Sequence, residues 1–313
     1  MLANANVLIT GGAGLVGSHL AEHLLEQGST VHVVDDLSKG ARNRVPADAT
    51  FSTADLTDPA AVAEVITGDL DIVFHLAAYT DTNYEDDQEL FEQNTTMTHN
   101  VLERMKAVDV TNIAFTSSST VYGEAPTPTP EDYAPCEPIS IYGCSKLADE
   151  ALISTYAHSY GFNAWIFRFA NIVGPHQRGT VIPDFIEKLR ADPETLEILG
   201  DGRQEKSYMH VSECVEAMQH VVETADNTLN TYNLGTRTTT AVTTIADIVT
   251  SEMGLDPAYS YTGGKRGWSG DVPRMRLSIE KLASLGWEPS LSSHESVRRG
   301  TQDLLDELAP ISS

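Results

Sequence analysis

A tyrosine and a lysine stand four residues apart in "YGCSK" at 142–146. On a helix, positions i and i+4 share a face, so Tyr142 and Lys146 would lie side by side. A phenol with a pKa of about 10 is a weak base at neutral pH, and a neighbouring ammonium favours the phenolate and lowers that value. Upstream, "SSSTVYG" at 117–123 supplies serines, and a hydroxyl among them can bond a substrate oxygen and relay its proton. A serine there, with Tyr142 and Lys146, reads as a set that takes a proton from a hydroxyl and returns it.

A partner for that chemistry is written near the amino end. In "VLITGGAGLVGSHL" at 7–20, Gly11, Gly14 and Gly17 fall between a strand-like run and a helix-like run. Glycine lets the backbone turn tightly and approach a pyrophosphate, while the helix start at Leu15 and Val16 offers free N–H groups and a positive dipole. Gly17 permits close packing of helix on sheet. Asp35, about 20 residues on and followed by Asp36, ends the second strand, where a carboxylate binds both ribose hydroxyls and repels a 2′-phosphate. The expected cofactor is therefore NAD rather than NADP, and Arg42 and Arg44 read as surface residues of the next loop. Its positive nicotinamide ring would lower the Tyr142 pKa further. Asp55 and Leu56, in "ADL", and Leu76, Ala77 and Ala78, in "FHLAA", end the third and fourth strands at the edge where open α/β sheets bind ligands.

The elements that must hold these residues alternate. Strands are expected at 7–10, 31–35, 51–54, 72–77, 113–117 and 164–169, several as near-continuous apolar runs. Helices are expected at 15–27, 60–66, 91–107 and 145–160. This rhythm predicts an α/β fold with a doubly wound, Rossmann-type parallel sheet. After Pro175 the pattern becomes mixed, with helices at 183–190, 211–223 and 293–308 and strands at 196–199 and 232–235. The expected organisation is a cofactor domain of 1–172 and about 208–236, interleaved with a smaller α/β substrate domain of about 173–207 and 237–313. The acidic stretch 81–89 reads as the solvated start of a helix.

Composition narrows the partners. The chain has 313 residues and carries 45 acidic against 20 basic residues, only seven of them lysine, for a formal charge of −25. Such a charge repels nucleic acids and anionic membranes. Dense carboxylates with scarce lysine also suit high salt, where counterions screen the self-repulsion. Cys136, Cys144 and Cys214 have no metal spacing and fit a reducing cytoplasm, and no signal-peptide pattern precedes the first strand. No metal is expected: "HLAEH" at 19–23 imitates a zinc motif but belongs to the helix committed to the phosphate loop.

Taken in order, "TGGAGLVG", "FHLAA", "SSSTVYG", "YGCSK" and "NIVGP" resemble the extended short-chain dehydrogenases/reductases, in particular their NAD-dependent nucleotide-sugar epimerases. The resemblance covers nearly the whole chain. It implies Ser118, Tyr142 and Lys146 as catalytic residues, with Asn94 and Phe169 near the cofactor. It also implies a nucleoside-diphosphate sugar as substrate. Dehydratases of the family place Asp-Glu before "VYG", and decarboxylases place Glu there. Ser119 and Thr120 hold those places here, which points to 4-epimerisation of the UDP-glucose type. A uronate epimerase, another nucleotide-sugar oxidoreductase and a dinucleotide-sensing regulator are the alternatives. Substrate contacts implied by the same likeness are Asn171, Lys206 in place of the family's arginine on the diphosphate, Arg266, and Asp271 at the ribose. Arg274 and Arg276 complete a cationic cluster, and Met275 occupies the position that gates bulky 2-substituents. A homodimer through the helices at 91–107 and 145–160 is also implied.

Overall fold

In a computed structural model of the protein, residues 2–80, 87–267 and 270–309 are described. The first half alternates strand and helix: β1 (Asn6–Thr10), α1 (Leu15–Glu26), β2 (Thr30–Asp35), β3 (Thr50–Thr53), α2 (Pro59–Val65), β4 (Ile72–His75), α3 (Asp87–Ala107), β5 (Asn112–Ser118), α4 (Ile141–Tyr160) and β6 (Asn163–Phe169). Shorter elements follow: β7 (Asn171–Val173), α5 (Val181–Ala191), β8 (Thr195–Ile198), β9 (Glu205–Lys206), β10 (Tyr208–His210), α6 (Val211–Thr224) and β11 (Leu229–Leu234). The chain closes with β12 (Thr240–Ala241), α7 (Val242–Met253), β13 (Ala258–Tyr261), β14 (Arg274–Met275), α8 (Glu280–Ser284) and α9 (Ser293–Glu307).

Seven strands make one parallel sheet in the order β3-β2-β1-β4-β5-β6-β11. Apolar runs become strands because both faces are covered. Val7, Ile9, Phe74 and Phe167 face α1 and α6, through Leu20, Leu24, Met218 and Val221. The alternate residues Leu8, Val73, Phe115 and Ile166 face α2, α3 and α4, through Val62, Val101, Met105 and Ile153. Alternation across a pleat thus builds two cores from one continuous run. A third core joins α5, α7 and α9 with β8.

The chain leaves β1 toward β2 and β3 on one side, then crosses to β4 on the other. That reversal opens a crevice beyond the carboxyl ends of β1 and β4, the usual ligand position in such sheets. The expected strand 72–77 stops at His75, because the N–H groups of Leu76 and Ala77 turn onto Thr10 Oγ1, each at 3.2 Å. The loop 76–78 is thereby left at the crevice. Helix α7, which had no counterpart in the sequence reading, packs on α5 and α9. Of the acidic stretch 81–89, residues 81–86 lie outside the described residues and 87–89 open α3. Among the described residues no helix is long and apolar enough to cross a membrane.

Candidate active site

A groove of about 680 Å³ runs along the carboxyl edge of the sheet. Its first lip is the loop between β1 and α1, with Gly11, Gly14, Leu15, Val16 and Gly17 all exposed to it. Gly11 has φ +66°, and a Cβ there would stand 2.7 Å from Ala77 N. A Cβ on Gly17 would meet Gly11 O at 2.4 Å. The loop therefore leaves no room for side chains where a flat or charged group is to approach. Gly14 gives α1 no side-chain cap, so its first N–H groups point into the groove unspent.

Asp35 closes β2 at this lip. Its Oδ2 accepts from Ala13 N at 2.9 Å and its Oδ1 from Leu37 N at 2.8 Å, which fixes the carboxylate in place. Burial raises its pKa against those two bonds. Asp36, Leu56, Leu76, Ala77, Ala78 and Phe169 also line the groove. Two of the residues expected at the cofactor do not. Asp55 Oδ1 is occupied by its own turn, accepting from Thr57 N at 2.8 Å. Asn94 is buried and ties elements together: it accepts from Tyr79 N at 2.8 Å and donates to Ser145 Oγ at 3.1 Å. Arg44 departs from its reading as a surface residue, since it lines the groove. Burial and the nearby Arg178 hold its pKa below the ordinary value. Arg42 stays outside, its guanidinium 4.6 Å from the centre of the Phe51 ring.

Tyr142 and Lys146 occupy the other end, on the first turns of α4. Ser140 caps that helix, accepting from Gly143 N at 3.1 Å. Gly143 has no side chain where a Cβ would come within 2.8 Å of Thr120 O. The helix start can therefore press against the turn Ser119–Tyr122, which brings Tyr142 close to Ser118. Lys146 is 2% exposed, with Nζ 4.5 Å from the centre of the Phe115 ring.

The electrostatics differ from the sequence expectation. Burial pushes the Tyr142 phenol up to about 12, Asp149 adds to the rise, and the nearby Ser118 hydroxyl opposes it. The counteracting influence is thus Ser118 and not Lys146. Lys146 itself is brought down to about 8 by burial, against the pull of Asp149 and Glu150. Both groups lean toward neutrality, as low-dielectric surroundings dictate.

Beneath them lies a buried polar brace. Arg168 donates to Glu150 twice, Nε to Oε1 at 2.9 Å and Nη2 to Oε2 at 2.6 Å. Ser117 Oγ donates to the same Oε1 at 2.5 Å, and Arg168 Nη1 reaches Tyr122 Oη at 2.8 Å.

The residues expected at the substrate sit apart from the groove lining. Asn171 Nδ2 donates to Ser207 O at 3.2 Å. Lys206 forms an ion pair with Asp271, whose other oxygen accepts from Gly267 N at 3.0 Å. Arg266 donates to Asp271 O and pairs with Glu124. Lys206, Arg266, Asp271 and Glu124 therefore come together as one charge-balanced cluster rather than as free cations. Arg276 stands away from it, donating to Arg237 O at 3.3 Å, and Arg274 is exposed on β14. Met275 is buried with Val121, Tyr122 and Ala170. Among the described residues no cluster of His, Cys, Asp or Glu could hold a metal. His19 Nδ1 is spent on Leu15 O at 2.8 Å.

The model of the NAD dependent epimerase/dehydratase family matches residues 7–235, most of the chain. The chain belongs to that family. A putative UDP-glucose 4-epimerase of Methanocaldococcus jannaschii is 31% identical over 300 residues, covering 94% of this chain and 96% of the relative. The crystal structure of a UDP-galactose 4-epimerase superposes with a TM-score of 0.89 at 39% identity, over 97% of this chain and 100% of that one. A UDP-glucose 4-epimerase from Thermotoga maritima, solved with UDP-glucose, gives the same TM-score at 30% identity, again over 97% and 100%.

The residues present fit NAD, the family's cofactor. The side-chain-free cradle at Gly11 and Gly17 suits a pyrophosphate, and the fixed carboxylate of Asp35 suits a ribose. A second lip went unnoticed in the sequence: His176, Gln177, Arg178, Gly179 and Thr180 face the glycine loop across the groove. His176 has φ +72° and is held by Ser18 Oγ at 3.0 Å and by Glu307, which accepts from its N–H at 2.7 Å. Its one sequence signal is "HQRG", a basic run after Gly-Pro in a strongly acidic chain.

Proposed function

We propose that the protein is a UDP-sugar 4-epimerase of the UDP-glucose/UDP-galactose type that keeps its NAD bound. The observation that carries this reading is Tyr142 with Lys146 one helical turn further on, both lining the end of a groove shaped for a dinucleotide. Ser119 and Thr120 follow Ser118, so its neighbours hold no carboxylate for eliminating water or assisting decarboxylation. NAD, held by the glycine loop and Asp35, would supply the hydride acceptor and donor that exchange at the sugar C4 requires. Tyr142 takes the 4-hydroxyl proton and later gives it back, so no proton is consumed in a full cycle. Ser118 donates to the reacting oxygen, and Lys146 supplies positive charge beneath it. A phenol at about 12 ionises only when cationic charge gathers beside it, which ties proton removal to the loaded site.

The test is to purify the protein in molar KCl and incubate it, without added NAD, with UDP-glucose, UDP-galactose, UDP-glucuronate and the N-acetyl relatives. Interconversion of one 4-epimeric pair is expected, without stoichiometric NADH. No conversion of any sugar overturns the reading. Met275 is unbranched and adaptable, so UDP-N-acetylglucosamine is expected to turn over within about tenfold of UDP-glucose. No turnover under conditions that convert UDP-glucose rejects that assignment.

Asp35→Ser should weaken NAD about 10- to 100-fold, the worth of hydrogen bonds to a charged group. It should also narrow the preference over NADP, because Arg44 then faces the ribose without the opposing carboxylate. Titration of refolded, cofactor-free protein with each dinucleotide measures both effects. An unchanged NAD/NADP ratio contradicts the role given to Asp35.

A further inference from the structure

We propose that Asp149 is a positioning residue, a buried counter-charge that holds Lys146 in its ammonium form and so sets the alkaline limit of the reaction. The statement about the reaction rests on the epimerase reading; the statement about the charge on Lys146 does not.

Asp149 lies one turn beyond Lys146 on α4 and is 1% exposed. Its Oδ1 is buried and, among the described residues, has no hydrogen-bond partner. A carboxylate buried with a bare oxygen is costly unless a positive charge compensates it. Lys146 is the matching half: an ammonium almost wholly buried, set over the Phe115 ring from β5, with no ion pair to its Nζ among the described residues.

Among the described residues, the surrounding elements offer no other free charge. From α4, Tyr142 is a neutral phenol and Glu150 is committed to Arg168. From β4 comes His75, and from α3 come Asn94 and Thr98. The protonation of His75 follows from its partners. Thr10 Oγ1 accepts the N–H groups of Leu76 and Ala77, so its own hydroxyl donates to His75 Nδ1 at 2.7 Å. The ring proton is then on Nε2, which donates to Thr98 Oγ1 at 3.2 Å. Thr98 Oγ1 in turn donates to Asn94 O at 3.2 Å. His75 stays uncharged, since burial and Lys146 bring it down to about 3. The relay therefore ends on the Asn94 carbonyl and gives Asp149 Oδ1 no donor. Burial raises Asp149 to about 7, and Lys146 opposes that rise as Asp149 opposes the fall of Lys146.

The experiment reads the lysine directly. With lysine labelled at Cε, the protein gives seven resonances, and Lys146→Arg assigns the one of interest. In Asp149→Asn, which keeps the shape and removes the charge, the Lys146 pKa should fall by about one unit or more. The alkaline limb of the turnover–pH profile should move toward acid by the same interval as the resonance. A Lys146 pKa unchanged in the folded variant overturns the proposal. A resonance shift in a protein that turns over no UDP-sugar leaves the counter-charge standing and removes the epimerase. Turnover with no resonance shift does the reverse.

Discussion

Tyr142→Phe is expected to lower turnover of the accepted UDP-sugar by about 1,000-fold, the usual worth of a positioned acid–base group, while bound NAD and melting temperature stay as they are. The ring of Tyr142 is held by the start of α4, capped by Ser140 and pressed on the turn Ser119–Tyr122. Removing one oxygen leaves that packing intact. Ser118 keeps its contact with Thr120 N at 3.2 Å, so no buried hydroxyl is orphaned. The loss should fall on kcat with little change in KM, because the phenol acts when the proton moves and not in holding the nucleotide. Retained activity within tenfold of the unaltered protein would show that another group takes the proton. Loss of NAD together with activity would instead make Tyr142 a cofactor anchor. Counting bound NAD by absorbance after gel filtration separates the two.

The parts of this site that were readable in advance are those encoded locally. Gly17 is demanded by contacts within one βα unit, Gly11 by the φ of +66° in the same turn, and Asp35 by its place at the end of β2. Tyr142 and Lys146 share a helix turn, so their spacing alone brings them together. What was not readable depends on long-range contacts. His176 and Arg178 form the second lip because Glu307, about 130 positions away on α9, bonds both. Lys206 looked like a free cation in an acidic chain, but β9 and β14 pair Lys206 with Met275 in register, and Asp271 lies just before β14. Spacing gives no warning of such a pairing. The pKa of Tyr142 is a further case. Proximity to Lys146 suggests a depressed value, but the burial that creates the proximity acts in the opposite sense and is larger.

Glu150 poses the opposite problem from Tyr142, since its expected effect is on stability. Glu150→Ala should destabilise the protein by about 3–5 kcal/mol, the range for breaking one side of a buried pair. The carboxylate is 6% exposed and accepts two bonds from Arg168 and one from Ser117. Its loss strands a guanidinium in the sheet between α4 and β6, still bonded to Tyr122 Oη but without a counter-charge. The damage therefore exceeds the value of the bonds themselves, because the remaining charge is uncompensated. Replacing both partners, as in Glu150→Met with Arg168→Met, should recover a large part of the loss, since apolar groups of similar volume leave no charge behind. Urea midpoints of the single and double variants measure this directly. If the double variant is as unstable as the single one, then Arg168 stabilises the fold through Tyr122 and the Glu131 carbonyl, and the pair with Glu150 is secondary. Activity is a second readout. Ser117 neighbours Ser118 at the end of β5, so the single variant should lose turnover even where it remains folded. The double variant should regain stability without regaining that turnover, because Ser117 still lacks its acceptor.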